Sequence, residues 1–175
     1  DNFRIEAARR IQREVGRRVI DEDHLPRGVE SVGGVDVAYR GEFAIAAAVV
    51  LDHANLHLVE SKTAKARVMF PYIATLLSVR EAPPIFKVLR LLEARPDVLM
   101  VNGHGVAHPY GCGLASHVGV VLNQPTIGVA EGLLCGEVEP STGDLAPIIY
   151  RGRTVGAAIS AGARRQIYVS VGNMI

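Results

Sequence analysis

Three oxygen-bearing side chains, Asp36, Glu81 and Asn102, occupy positions from which they could bind a metal ion. Asp36 is a carboxylate inside the apolar run VGGVDVAY, and a charge in such a strand is costly unless it is paired or binds a metal. Carboxylate and amide oxygens are ligands for Mg²⁺, which activates water and stabilises the leaving oxygen in phosphodiester cleavage. The three residues therefore predict a metal-assisted hydrolytic site, provided that the fold brings them together.

Each of these residues also has a simpler structural interpretation. Asp36 could form a salt bridge with one of the many arginines, and Glu81 could be an ordinary solvent-facing carboxylate. Asn102 could be a turn residue, because Asn-Gly is a common turn pair. Only the combination of the three favours a functional site over these interpretations.

The elements that would position these side chains follow from the apolar periodicity. An amphipathic helix and an antiparallel meander of three strands are predicted first, at residues 3–20, 31–40, 43–52 and 56–65. Pro83 and Pro84 are expected to break or restart the next helix just after Glu81. The remaining predicted elements are a helix, a strand, a helix, a strand, a hairpin and a last strand, at residues 73–94, 97–101, 114–122, 125–130, 146–160 and 166–172.

This order predicts an α/β protein with one mixed sheet, in which the meander is followed by parallel strands and helices cover both faces. No linker or repeat divides the chain, so we expect residues 1–175 to form a single domain. In a ribonuclease H-like sheet, the first strand, the following helix and the end of the fourth strand are places where side chains converge. That convergence would bring Asp36, Glu81 and Asn102 together.

Two further segments suggest contact with a ligand. The stretch VNGHGVAHPYGCGLASH, residues 101–117, holds four Gly and three His, which indicates a backbone that closely approaches something. The stretch FPYI, residues 70–73, places two aromatic residues, a Pro and an Ile ahead of a helix. It could be a hydrophobic staple on the helix entry, or an apolar wedge that enters stacked bases.

Composition limits the class of protein. The net charge of +1 does not indicate a nucleic-acid partner by itself, although six arginines crowd the first helix as either a solvated face or a phosphate-facing patch. No apolar run reaches the roughly 18 residues of a membrane span. The N-terminus carries no signal-peptide pattern, and Cys112 and Cys135 are lone thiols, so we expect a cytoplasmic protein, and we expect a monomer.

The chain resembles the endonuclease V family, which nicks nucleic acid near deaminated purines such as inosine. The resemblance rests on four stretches in the family's order and spacing: VGGVDVAY, FPYIATLLSVREAP, VGAAI, and the long run from PDVLMVNGHG to GVAEGLLCG. It implies a ribonuclease H-like fold and an endonuclease that depends on Mg²⁺, with Mn²⁺ as a possible substitute. Its expected partner is DNA or RNA that contains inosine, cut on the 3′ side of the lesion.

The resemblance also assigns roles to individual residues. It makes Asp36 and Glu81 metal-binding carboxylates, and it makes Pro71, Tyr72 and Ile73 the wedge, with Tyr72 filling the gap left by a flipped base. It places the base in the glycine-rich loop, where backbone groups would read its edge. The loop residues concerned are Gly103, Gly113 and Leu114, with His108 beside the scissile region.

This chain departs from the family pattern at the chemistry. Asn102 stands where the family has Asp, Glu131 stands where it has Lys, and Asn173 follows Gly172 where it has His. Two hypotheses follow: a Mg²⁺-dependent endonuclease with a rearranged site, or a catalytically silent binder of inosine-containing nucleic acid. Glu131 could replace the charge lost at position 102, or it could be a solvent-facing strand end.

Overall fold

The computed structural model describes residues 2–160 and 166–175. Helix α1, Asn2–Gly16, is followed by the meander of strands β1, Ser31–Arg40, β2, Phe43–Asp52, and β3, Leu58–Arg67. The predictions for β1 and β2 are confirmed to the residue. Strand β3 begins two residues later than predicted because the Asp52 carboxylate accepts backbone N–H groups in a longer turn, in which Leu56 has a φ of 59°.

Two crossovers then add parallel strands to β1. A turn of 3₁₀ helix, Ala74–Leu76, leads into α2, Leu77–Leu89, and then β4, Val98–Asn102. Helix α3, Leu114–Leu122, leads into β5, Thr126–Ala130. Strand β4 pairs in parallel with both β1 and β5, so all three end at the same edge of the sheet. We call this edge, which carries Asn102, the carboxylate edge.

Helix α2 continues through Pro83 and Pro84, so the predicted break after Glu81 is wrong. The two prolines lack the N–H groups that would bond to the carbonyls of Val79 and Arg80. The helix is held instead by its buried face, to which Glu81, Ala82, Pro84, Ile85 and Val88 contribute. Burial against the sheet therefore outweighs the missing hydrogen bonds.

The last four strands extend the sheet to nine. They are β6, Glu137–Val138, β7, Leu145–Tyr150, β8, Arg153–Ser160, and β9, Gln166–Asn173. The strand order is β3-β2-β1-β4-β5-β9-β8-β7-β6, and β9 pairs antiparallel with β5. The two-residue β6 was not predicted, because such a short strand carries no periodicity.

The predicted mixed sheet flanked by helices is confirmed, but among the described residues the helices lie on one face, and the expectation of helices on both faces is wrong. Helix α3 contacts both α1 and α2, and α2 and α3 pack on the sheet. Both crossovers step in the same direction along the sheet, and right-handed crossovers then put both helices on the same side. None of the described helices has the length and apolar character needed to cross a membrane.

The core lies between the sheet and this single helical layer. Val35, Ala46, Leu99 and Val101 point into it from three adjacent strands, and Ile85 meets them from α2. The intervening residues of the same strands point to the opposite face, where they are exposed. They are Asp36, Ala47, Met100 and Asn102. The open face of the sheet therefore carries two of the three predicted metal ligands.

Candidate active site

Asp36 and Asn102 lie side by side at the carboxylate edge. Their strands are paired with Val35 opposite Val101, which brings the next residue of each strand to the same level. The Asn102 Nδ2 group donates a hydrogen bond of 2.8 Å to Asp36 Oδ1, and the backbone N–H of Val37 donates to the same oxygen at 2.7 Å. The predicted neighbourhood of the two side chains is therefore present in the structure.

Glu81 approaches Asp36 from the helical layer. It is only 7% exposed, so the alternative of a solvent-facing carboxylate is wrong. Burial raises the pKa of the Glu81 carboxyl; a hydrogen bond of 2.8 Å from the Tyr39 hydroxyl lowers it, and the negative charge of Asp36 raises it again. Asp36 forms no salt bridge within the described part of the chain, so it is not explained by pairing with an arginine.

Tyr39 is a member of this site that the sequence did not reveal. Burial and its hydrogen bond to Glu81 raise the pKa of the Tyr39 hydroxyl to about 12, so it remains a donor to the carboxylate at neutral pH. The Arg80 guanidinium lies over the Tyr39 ring, 4.5 Å from its centroid. Tyr39 therefore links Glu81 to Arg80, whose positive charge lowers the pKa of the Glu81 carboxyl.

Glu131 directly follows β5 and is exposed. With Asp36 and Asn102 it lines an open cavity of about 470 Å³ on the open face of the sheet. Across residues 2–160 and 166–175, however, no three His, Cys, Asp or Glu side chains converge closely enough to hold a metal ion. The geometry therefore brings Glu131 to the same cavity without making it the third member of a carboxylate cluster.

The chemistry of the donors fits Mg²⁺, which is usually bound by one or two carboxylates and keeps several waters. Asp36 and Glu81 supply two carboxylates, and Asn102 has an amide carbonyl oxygen. In this structure the Asn102 amide presents its NH₂ group to Asp36. Asn102 can therefore serve as a ligand only after its amide turns.

The glycines of the loop serve close packing of the backbone. The Gly103 N–H donates to the Val129 carbonyl at 2.8 Å, and the Gly113 N–H donates to the Gly105 carbonyl at 2.9 Å. A Cβ atom on Gly105 would lie 1.9 Å from the Val171 carbonyl oxygen. The loop thus lies directly on β9, and the N–H groups of Gly103 and Gly113 are already engaged within the protein.

A small cavity lies where the resemblance places the base. Its walls include His104, His108, Gly113, Leu114 and Leu134, and its volume is about 30 Å³. This is roughly the share of one water molecule in the liquid, far less than a purine requires. The sequence analysis gave no individual role to His104, which is one of the three histidines of the loop, or to Leu134, which does not stand out by type or spacing.

His108 is buried in the loop, with 4% of its surface exposed. Its Nδ1 accepts the Tyr110 N–H at 3.2 Å, and the ring also bonds to the backbone of Thr75. Burial, together with the positive charges of His104 and Arg9, lowers the pKa of His108 to about 4, so the ring is neutral at pH 7. It does not line the cavity of Asp36 and Asn102, and its predicted place beside the scissile region stays a prediction.

The predicted wedge divides into two parts. Tyr72 is 68% exposed and Pro71 is exposed, so both could meet a ligand. Ile73 instead packs with the buried side chains of Phe70 and Leu76 at the helix entry. The segment therefore has the staple contact, and the exposed residues lie between the two buried ends.

Asn173 does not belong to this site. It pairs with Thr126 at the start of β5, whereas Asn102 pairs with Val129 near its end. The side chain is 1% exposed, and its Oδ1 accepts the Ile20 N–H at 3.0 Å. The substitution at position 173 is therefore structural, and the changes near the carboxylates are those at positions 102 and 131.

Comparison with known proteins agrees with this architecture. A family model described as Endonuclease V matches residues 13–175. Endonuclease V of Thermofilum pendens is 43% identical over 176 residues, which cover 100% of this chain and 76% of that protein.

Solved structures of endonuclease V resemble the chain as well. The protein of Streptomyces avermitilis is 41% identical with a TM-score of 0.88, covering 97% of this chain and 78% of that one. The protein of Ciona intestinalis was solved in complex with a 24-mer DNA containing an inosine followed by a ribo-adenosine. It is 29% identical with a TM-score of 0.87, and the match covers 98% of this chain and 84% of that one.

Proposed function

The chain belongs to the endonuclease V family, and from that premise we propose that it nicks inosine-containing DNA or RNA on the 3′ side of the lesion in a Mg²⁺-dependent reaction. The observation that carries this proposal is the approach of Asp36 and Glu81 from two layers of the fold. Burial is the main cause of the raised pKa of Glu81, and the negative charge of Asp36 adds to it. The relative from Ciona intestinalis that was solved with inosine-containing DNA supports the substrate class.

In this proposal Asp36 and Glu81 hold the ion and the Asn102 carbonyl oxygen completes the protein ligands. Bound Mg²⁺ would polarise the scissile phosphate and lower the pKa of a bound water. Asp36 is oriented by the donors from Asn102 and Val37, and Tyr39 orients Glu81. Burial raises the pKa of Glu81, so a growing fraction of its carboxyl is protonated as the pH falls. An ion that binds at low pH would then have to displace this proton, and ion binding would weaken.

Recognition of the lesion is assigned to the wedge and the loop. A base inside a duplex or a stacked strand must be extruded before its edge can be read. Tyr72 is exposed and aromatic, so it can stack in the space that the base leaves. The cavity beside His104 and Leu134 would have to widen to admit the base.

The alternative is a catalytically silent binder, and one observation favours it. The Asn102 NH₂ group donates to Asp36 Oδ1, which also accepts the Val37 N–H, and the neutral amide at position 102 contributes no charge. A protein of this kind would keep the wedge and the loop but would not turn over.

Nicking assays distinguish the two candidates. Oligonucleotides that differ only in inosine or adenine at one position are incubated with the protein and Mg²⁺, Mn²⁺ or EDTA. The nuclease proposal predicts a metal-dependent nick 3′ of inosine that Asp36→Asn abolishes. Mass spectrometry of the peptide carrying Asn102 must accompany the assay, because an Asn-Gly pair can deamidate to Asp and generate the family ligand.

Binding measured in EDTA completes the test. Both candidates predict preference for the inosine strand, and Tyr72→Ala should weaken binding by about 1–3 kcal/mol, the range for one stacked base, whereas Tyr72→Phe should retain it. Selective binding without nicking would support the silent binder. Equal affinity for inosine and adenine strands would contradict both candidates.

A further inference from the structure

A basic and aromatic groove lies on the side of the glycine-rich loop away from Asp36. Its volume is about 530 Å³, and its walls come from the end of α1, the loop tip and the turn between β7 and β8. Five side chains give it its character: Arg13, Tyr110, Tyr150, Arg151 and Arg153. We call it the arginine groove. Positive charge combined with aromatic rings is the surface that single-stranded nucleic acid requires.

The charge of the arginine groove is largely uncompensated. Asp21 is the one carboxylate among its lining residues. Within the described part of the chain, Arg13, Arg151 and Arg153 form no ion pair with a carboxylate. All three arginines are exposed, and Arg151 lies 4.9 Å from the centroid of the Tyr150 ring. Their guanidinium groups are therefore available to phosphate.

The turn that carries Arg151 places an arginine at a positive φ angle, which residues other than glycine seldom adopt. Tyr150 pairs with Arg153, so Arg151 and Gly152 form a two-residue hairpin turn, with φ angles of 52° and 73°. Such turns favour Asn, Asp or Gly at both central positions, because a side chain disfavours positive φ. The turn itself therefore does not account for an arginine at position 151.

The arginine groove adjoins the loop cavity, because His108 lines both. It lies away from the carboxylate edge. Ala157 of β8 and Val129 of β5 both pair with Val169, and Val129 pairs with Asn102, so Ala157 marks the level of the predicted ligands. Arg153 is four residues earlier in β8, about 13 Å towards the opposite edge of the sheet.

We propose that the arginine groove binds the nucleic-acid strand on the 5′ side of the lesion. Arg13, Arg151 and Arg153 would contact its phosphates, and Tyr110 or Tyr150 would stack with a base. The polarity rests on the proposed function: if the bond 3′ of the lesion reaches Asp36 while the base enters the loop, the strand beyond the loop is the 5′ flank.

The test uses single strands that carry inosine with a 5′ flank only, a 3′ flank only, or both. Affinity is measured by fluorescence anisotropy in EDTA, so that cleavage does not contribute. The variant is Arg151→Asn with Arg153→Gln, in which Asn suits the turn and protects the fold. The control is Arg27→Gln with Arg90→Gln, which removes the same charge from exposed positions that do not line the groove.

We expect the groove variant to bind at least fivefold more weakly to both strands with a 5′ flank, and to change less than twofold on the strand with only a 3′ flank. The slope of log K against log salt should fall by about 1.4 for the 5′-flanked strands, since each phosphate contact contributes about 0.7. The control should lose no more than twofold on any strand, and urea unfolding should show that both variants are folded.

Equal losses on the two one-flank strands, a loss confined to the 3′ flank, or no loss would each overturn the inference. Adenine-matched strands separate this result from the proposed function. A 5′-specific loss without inosine preference would keep the groove as a strand-binding site and contradict the proposed function. Inosine preference without a 5′-specific loss would agree with the proposed function and contradict the role of the arginine groove.

Discussion

The carboxylate edge and the glycine-rich loop differ in how open they are to solvent. At the carboxylate edge Asp36 and Asn102 are exposed on an open sheet face beside a wide cavity. In the loop, Gly103 and Gly113 have engaged N–H groups, His108 is buried and neutral, and the cavity holds about 30 Å³. Two of the residues assigned to chemistry, Asp36 and Asn102, are accessible as they stand, although Glu81 is buried, whereas the part assigned to recognition must rearrange first. Selectivity would then depend on the cost of opening the loop.

The largest effect should come from filling the contact between the loop and β9. Gly105→Ala places a Cβ atom 1.9 Å from the Val171 carbonyl oxygen, so the loop must leave the strand. We expect the free energy of unfolding to fall by about 3 kcal/mol or more, the upper range for overpacking. Urea unfolding followed by circular dichroism measures it. Gly132→Ala, where no atom lies within 4 Å of the added Cβ, is the matched control.

A loss below about 1 kcal/mol for Gly105→Ala would show that the loop moves away from β9 easily. The contrast between a closed loop and an open carboxylate edge would then lose its basis.

The next effect concerns pH and His108. Its pKa in the folded protein is about 4, below the ordinary 6.5, so as the pH falls the unfolded chain binds the proton first. The free energy of unfolding should be unaffected above pH 6.5, fall by on the order of 3 kcal/mol between 6.5 and 4, and level off below.

His108→Gln should remove this part of the pH dependence. His104 and His117 have pKa values that burial also lowers, and they contribute with the same sign in both proteins. The difference between the two urea midpoints across pH therefore isolates His108. Parallel curves for the two proteins would show that His108 is not held neutral by the loop.

A smaller effect is expected from restoring charge at the carboxylate edge. Asn102→Asp replaces a donor to Asp36 by a like charge, so the metal-free protein should lose about 1 kcal/mol of stability. Mn²⁺ affinity by titration calorimetry should rise about tenfold, which is about 1.4 kcal/mol. Asn55→Asp, in an exposed turn, makes the same charge change as a control. Unchanged Mn²⁺ affinity in Asn102→Asp would remove position 102 from the ligand set.

The smallest effect should come from Glu131→Gln. Glu131 shares the open cavity but belongs to no cluster of three metal-binding side chains among the described residues. Its charge should act only at a distance through water, and we expect Mn²⁺ affinity to fall about twofold. Glu139→Gln serves as the exposed control. A tenfold loss would instead establish Glu131 as the replacement for the charge missing at position 102.

The sequence predicted the elements with strong periodicity and missed features that depend on packing between elements. Strands 31–40 and 43–52 and helix 114–122 were right because each has a clear buried pattern. The break at Pro83 was wrong because burial of Ile85 and its neighbours holds the helix together, which no local signal reveals. The single helical layer depends on the direction of both crossovers. That direction is set by the spatial order of the strands in the sheet, which no local sequence pattern reveals.

The candidate site shows the same division. The pairing of Asp36 with Asn102 was predictable because Asn102 ends a strand that runs parallel to the strand of Asp36. Tyr39 and the burial of His108 were not, since they arise from contacts between segments distant in the chain. The roles of the metal-binding, wedge and loop residues, the monomeric state, the cytoplasmic location and the single domain stay predictions.

The two prolines of α2 have a consequence for motion. Without N–H groups at positions 83 and 84, the helical ladder is interrupted one turn after Val79 and Arg80, close to Glu81. The first turns of α2 are therefore joined to the rest of the helix by side-chain packing more than by hydrogen bonds. Amide protons near Glu81 should exchange with solvent faster than those after Pro84, and the helix start can shift together with the Tyr72 segment while the end of the helix stays fixed on the sheet.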